Sequence, residues 1–224
     1  MPKDENIKRN TMPAIECRTI VEPIHYRALP GKEPEKNFLQ GYAVRFNVIA
    51  DLYWFDEEIL PGAFTDTIEK DDIRALVDHN PSYILGRNRA KTLQLSEDAE
   101  GVYSVIDPPD TRIGKDTIIS VERQDVSGMS FEFFVEEENW IWADKDTSKK
   151  DLRQIKKAKM RDVSIVTYPA YEETDVSYRM AEARSAELIY KNQCDQRYRK
   201  HLIEQKGGHK DYYKRYLQCL IGNN

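Results

Sequence analysis

The sequence is poor in the features that would assign it at once to several classes of protein. It has only three cysteines among 224 residues, Cys17, Cys194 and Cys219. They are odd in number and far apart, without the close pairs that zinc sites and redox motifs use, so disulfide and thiol chemistry are set aside. Its longest unbroken apolar runs, 52–55 and 140–143, are four residues each, whereas a membrane-spanning helix needs about 20. No apolar stretch follows the charged first residues, so the expectation is a protein without a secretory signal, kept in the cytoplasm. A glycine-rich phosphate loop, a Gly-x-Ser-x-Gly elbow and any His, Cys and carboxylate set at metal-ligand spacing are all missing, and no cofactor or metal is expected. The net charge of −5 argues against a general nucleic-acid binder.

What is present is length and uneven charge. At 224 residues the chain can bury a core of its own, as one domain with extensions or as two small ones. Residues 181–224 hold nine Lys or Arg against five Asp or Glu, which leaves −9 on the first 180 residues and marks a distinct basic tail. Residues 1–37 carry five prolines, many charges and no sustained periodicity, and read as a leader that is extended or partly ordered. The compact unit is expected at 38–180.

Within that unit the pattern alternates between strands and short helices. Residues 41–46 read as a strand, 65–70 as a short helix, and 72–77 as an apolar strand stopped and turned by Asn80-Pro81. Segments 92–95 and 102–106 flank a turn-like stretch and read as a hairpin. After Asp107-Pro108-Pro109, with Asp110 or Thr111 as N-cap, Ile113, Thr117, Ile118 and Val121 share one face of a helix over about 112–123. Residues 125–135 form the most informative strand. The charged excursion 136–157 reads as a long hairpin loop or flexible flap, and 162–168 as a further strand closed by Pro169. In the tail, Tyr190, Cys194, Tyr198 and Leu202 recur at helical spacing.

Chemistry is scarce enough to be searched by elimination. Of four histidines, His25 is in the leader and His201 and His209 are in the tail, so His79, just beyond a strand end, is the only one in the compact unit. An ordinary surface histidine beside a turn has the same signature. In the strand around Ser130, period two puts Met129, Phe131, Phe133 and Val135 on one face and Ser130 on the other. Ser130 is thus either an accessible hydroxyl on a rigid support or the polar half of an amphipathic strand, and Ser127 falls on the apolar face. A serine needs a base, and the base needs a group to fix its tautomer. Asp162, on the polar side of its strand with Ser164, fits that third role or that of a solvated acid beside Lys159 and Arg161.

Taken in order, seven segments resemble the prohead maturation proteases of tailed bacteriophages. They are Gly41-Tyr42-Ala43-Val44-Arg45-Phe46-Asn47, Ile59-Leu60-Pro61-Gly62-Ala63-Phe64, 74–81 around Asp78-His79-Asn80-Pro81, Leu85-Gly86-Arg87, 93–98, 125–131 ending in Ser127-Gly128-Met129-Ser130-Phe131, and 162–171 beginning Asp162-Val163-Ser164. The resemblance spans about residues 38–180. It implies an α+β fold, a mostly antiparallel, partly closed β-barrel surrounded by helices as in the herpesvirus assemblins, followed by a helical C-terminal tail. It also implies a serine endopeptidase with His79, Ser130 and Asp162 as catalytic residues. The implied partners are the major capsid protein with its scaffolding segment, the protease itself through self-cleavage or oligomerisation, and the portal, with no membrane or specific nucleic acid. The implied setting is the assembling prohead in the bacterial host cytoplasm. Three residues depart from the family pattern: Asp162 stands where many relatives carry Glu, Gln124 where a glycine often ends the helix, and Glu132 where Ser-Phe-Gly-Phe is usual. If Glu132 shares the face of Ser130, it adds negative charge near the nucleophile. An inactive assembly or scaffolding protein that retains the fold is the alternative these departures leave open. A hydrolase of another acyl substrate is a third.

Overall fold

The structure, a computed structural model, describes residues 15–20, 24–29, 36–52, 54–143, 149–167, 188–194 and 196–197. In chain order the elements are β1 (Glu16–Ile20), β2 (His25–Leu29), β3 (Lys36–Arg45), β4 (Ala50–Asp51), β5 (Asp56–Ile59), α1 (Thr65–Lys70), β6 (Arg74–Val77), β7 (Asn80–Arg87), β8 (Leu93–Glu97), β9 (Gly101–Ile106), α2 (Arg112–Glu122), β10 (Gly128–Ile141) and β11 (Leu152–Val166). They build two sheets. One has seven strands and runs β1-β10-β11-β5-β4, with β6 on β11 and β7 on β6; the other runs β2-β3-β9-β8.

Pairing is antiparallel except where β5 and β6 both lie parallel to β11, β5 beside residues 152–155 and β6 beside residues 162–165. The α+β, mostly antiparallel expectation holds. Among the described residues, however, the ladders form two open sheets rather than a closed barrel, and α1 and α2 do not encircle them. No helix of the described residues is long and apolar enough to cross a membrane.

Burial of the apolar faces holds the sheets together. Met129, Phe131 and Phe133, placed on one face by their two-residue spacing, are at most 1% exposed and pack with Leu39, Phe64, Ile106, Val163 and Ile165. The rings of Phe64, Phe131 and Phe133 meet at centroid distances of 5.2 to 6.1 Å. A fully buried ring of this kind contributes about 1.5–3 kcal/mol.

Three local expectations need correction. The excursion 136–157 is mostly paired backbone, since β10 and β11 stay paired from Gly128↔Val166 out to Ile141↔Leu152, with register shifts after Glu132, Val135 and Glu137. Its charges are cross-strand partners, among them Glu137 opposite Lys157 and Lys159 bonded to Glu136 at 3.0 Å, and opposite charges across a ladder stabilise it. Asp162 lies inside β11 rather than at the start of a strand, while Tyr168 and Pro169 lie outside the described residues. The third correction concerns the turn after β6. Asn80 already pairs with Val77, so the two-residue turn is Asp78-His79, both in the left-handed region at φ 47° and 53°. Two such residues between paired strands define a tight hairpin turn whose twist suits the flanking strands.

Helix α2 ends much as its residues suggest. Thr111 occupies the N-cap position without a side-chain cap bond, and Gln124 takes φ +64° just past the last turn. Its N–H donates to the Val121 carbonyl at 3.0 Å and that of Asp125 to Ser120 at 2.9 Å, a closure in which the left-handed residue is usually glycine. In the leader, β2 pairs with β3 and β1 with β10. In the tail, residues 188–194 and 196–197 are helical. Tyr190 stacks 6.0 Å from Phe55 and donates to Asp151 at 2.7 Å; Tyr198 and Leu202 lie outside the described residues.

Candidate active site

Three strands and one turn deliver the site. β10 turns Ser130 away from the apolar face that carries Phe131, and β11 presents Asp162 and Ser164 on the same side, Ser164 directly across from Ser130 and Asp162 across from Glu132. Because β6 runs parallel to that stretch of β11, the turn at its end brings His79 over the two strands. The left-handed turn is rare for residues other than glycine, although Asp and His tolerate it better than most. It is fixed from both sides: Asp78 N–H donates to the Ile165 carbonyl at 2.9 Å, and the Asp78 carboxylate accepts the Thr167 N–H at 2.8 Å and hydroxyl at 2.9 Å.

The side chains form a continuous chain of contacts. His79 Nε2 lies 2.8 Å from Ser130 Oγ, and His79 Nδ1 lies 2.6 Å from Asp162 Oδ1. Ser164, which the sequence placed beside Asp162 without a role, donates to Asp162 Oδ1 at 3.0 Å and accepts the backbone N–H of His79 at 3.1 Å. It orients acid and base together. All three residues singled out from the sequence therefore meet, whereas Ser127 precedes β10 and is exposed.

Burial alone would push the His79 pKa down, but the hydrogen bonds of its ring to Asp162 and to Cys17 outweigh it and raise the value to about 10. Glu132 does share the Ser130 face. Burial, together with the neighbouring Asp162 charge, pushes its carboxyl up, while Arg161 holds it at 2.6 Å. The ligand atoms of His79, Glu132 and Asp162 lie within 4.8 Å of one another. Three strands converge there, so linear spacing gave no hint of such a group. Both His79 nitrogens are already committed to Ser130 and Asp162, so a cation held by these residues would compete with that chain of contacts.

Sequence reasoning missed the residues of β1. Cys17 Sγ lies 3.2 Å from Ser130 Oγ and 3.4 Å from His79 Nε2, and Thr19 Oγ1 donates to Ser130 Oγ at 3.2 Å. No periodicity in the leader announced this strand.

The family model for caudovirus prohead serine protease matches residues 25–189. No curated protein matches the chain. A solved structure, that of the bacteriophage T4 capsid assembly protease, gp21, aligns with a TM-score of 0.49 at 11% identity, covering 69% of this chain and 98% of that one.

Proposed function

From the premise that this chain belongs to the caudovirus prohead serine protease family, we propose that Ser130, His79 and Asp162 form a working endopeptidase that cleaves the scaffolding segment of the capsid protein, and the protease itself, during head assembly. The observation that carries this reading is the unbroken run of 2.8 Å and 2.6 Å contacts from hydroxyl to imidazole to carboxylate. His79 Nε2 takes the Ser130 proton as a bond forms between Oγ and the peptide carbonyl carbon. Asp162 holds the resulting imidazolium in place. The carbon–nitrogen bond then breaks as the proton passes to the leaving nitrogen, and a water molecule, deprotonated by the same imidazole, releases the acid and restores the serine.

The same reading takes the two sheets as an opened form of the assemblin barrel, with a protease body at 38–180 between a leader, 1–37, and the basic tail, 181–224. That tail would hold the enzyme inside the assembling shell in the host cytoplasm, near the portal, before being trimmed. A tail truncation still packaged at normal copy number would refute the tail's part. A second reading, a catalytically silent assembly protein, draws on the complete burial of Ser130.

Co-expression with the neighbouring capsid protein separates the two. The wild type is expected to shorten the capsid protein and Ser130→Ala to leave it full length. Full-length capsid protein with both would end the protease reading, and processing by Ser130→Ala but not Ser127→Ala would move the nucleophile.

A further inference from the structure

The nucleophile is covered, and the cover is β1. Ser130 is 0% exposed. In the β1–β10 ladder Thr19 lies opposite Ser130 and Cys17 opposite Glu132, so both side chains crowd the serine from the adjacent strand. The serine hydroxyl has one proton, and the Arg18 carbonyl of β1 at 2.9 Å competes for it with His79 Nε2 at 2.8 Å. When the carbonyl takes it, His79 Nε2 is the donor across the 2.8 Å contact. A serine oxygen that receives from His79 and Thr19, while its proton is bound to a carbonyl, has no base to activate it. Moreover, β1 lies ahead of residue 25, where the family match begins.

The underside of β1 shows what else this edge can hold. Arg18 turns to the face opposite Ser130, where its Nε and Nη2 donate to Glu57 at 2.7 and 3.0 Å and its guanidinium lies 5.6 Å from the centre of the Phe133 ring. Glu57 is 2% exposed. Without β1, two carboxylates, Glu57 and Glu138, would face one guanidinium, Arg153, and a buried carboxylate lacking its partner is costly. The vacated position thus calls for an extended strand, antiparallel to β10, that carries a cation where Arg18 stands.

We propose that β1 is a resident occupant of the peptide-binding edge of β10, that it holds the protease closed, and that the strand replacing it is an extended substrate segment with a Lys or Arg side chain bound by Glu57 and Phe133. The closed state rests on the protease reading above. The strand site does not, because β-strand addition needs only the ladder and the pocket.

The test uses full-length chains carrying Ser130→Ala, so that nothing is turned over, with and without Arg18→Glu, which sets a carboxylate against Glu57 and expels the strand. The probe is a fluorescent peptide of residues 13–23, read by anisotropy. The Arg18→Glu chain is expected to bind it at least tenfold more tightly than the chain with Arg18, and alanine in place of Arg18 in the peptide to cost about tenfold. Equal binding by the two chains, or of the two peptides, overturns the proposal. Arg18→Ala, which leaves Glu57 paired with Arg153, repeats the comparison should the charge reversal fail to fold by circular dichroism. With Ser130 intact, a fluorophosphonate is expected to label both Arg18 variants at least tenfold faster than the wild type. Labelling of all chains at the same measurable rate overturns the closed state. Peptide binding with no labelling of any chain overturns the protease reading alone.

Discussion

At the scale of single residues, the His79–Asp162 pair makes opposite demands on stability and on catalysis. The pKa of about 10 compares with about 6.5 for an unperturbed histidine. A raised value means that the pair contributes its full stabilisation below about pH 6.5, where folded and unfolded imidazole are both protonated. The contribution fades as pH climbs toward 10 and the folded imidazolium at last loses its proton. Catalysis needs the free base, and Asp162 still holds His79 up when β1 gives way to substrate, so the rate of peptide hydrolysis by an Arg18→Ala chain is expected to rise through the alkaline range. Thermal midpoint and rate measured from pH 6 to 10 should therefore move in opposite directions, and Asp162→Asn should flatten both curves while lowering the rate about 10³–10⁴-fold. A rate already at its plateau at pH 7 would contradict the pairing. Ser130 and His79 were legible in the sequence because parity and elimination are local arguments. Ser164 was half legible, since parity gave its face but no pairing partner. Cys17 was not legible at all, because its role depends on a ladder to residues more than 110 positions away.

At the scale of elements, the helices and the β8–β9 hairpin read best and the charged strands worst. α1 and the β8–β9 hairpin fall where turn residues and periodicity placed them, since those signals are completed within a few positions. The ribbon of β10 and β11 did not, because Glu and Lys on an isolated stretch look like solvated surface until the partner strand supplies the opposite charge. Gln124 shows a local conflict that is stored rather than resolved. A side chain in the left-handed region costs about 1 kcal/mol or more relative to glycine, and nothing in the contacts of α2 requires the glutamine. Gln124→Gly is expected to raise the unfolding free energy by about 1 kcal/mol, less the entropy glycine adds to the unfolded chain, with activity unchanged. Denaturant titration checks it; a lower midpoint would mean that the Gln124 side chain has a role its backbone does not reveal.

At the scale of the whole molecule, one buried ion cluster ties the leader to the body. Arg153, 3% exposed, donates to Glu16 of β1 at 2.6 and 2.9 Å, to Glu57 of β5 at 2.9 Å and to Glu138 of β10 at 2.7 Å, and Arg18 closes the group from β1. Its members come from sequence separations of up to 137 residues, so no reading of the chain in order could assemble it. Burial is the strongest influence on Glu57 and would push its carboxyl up, yet Arg18 and Arg153 together hold it below the usual range. A depressed acid stabilises the fold above its unfolded value, about pH 4.3, and the contribution is lost as pH falls through the folded value. Arg153→Met keeps the volume but strands the carboxylates, and is expected to cost about 3–5 kcal/mol at pH 7. Its Glu57 titrates closer to the ordinary range, so the variant should also lose less further stability than the wild type on acidification from pH 7 to 3. Thermal melts across that range decide the matter: parallel curves for the two proteins would mean that Glu57 is held down by Arg18 alone, and that the cluster is a hinge pin for β1 rather than a brace for the whole sheet.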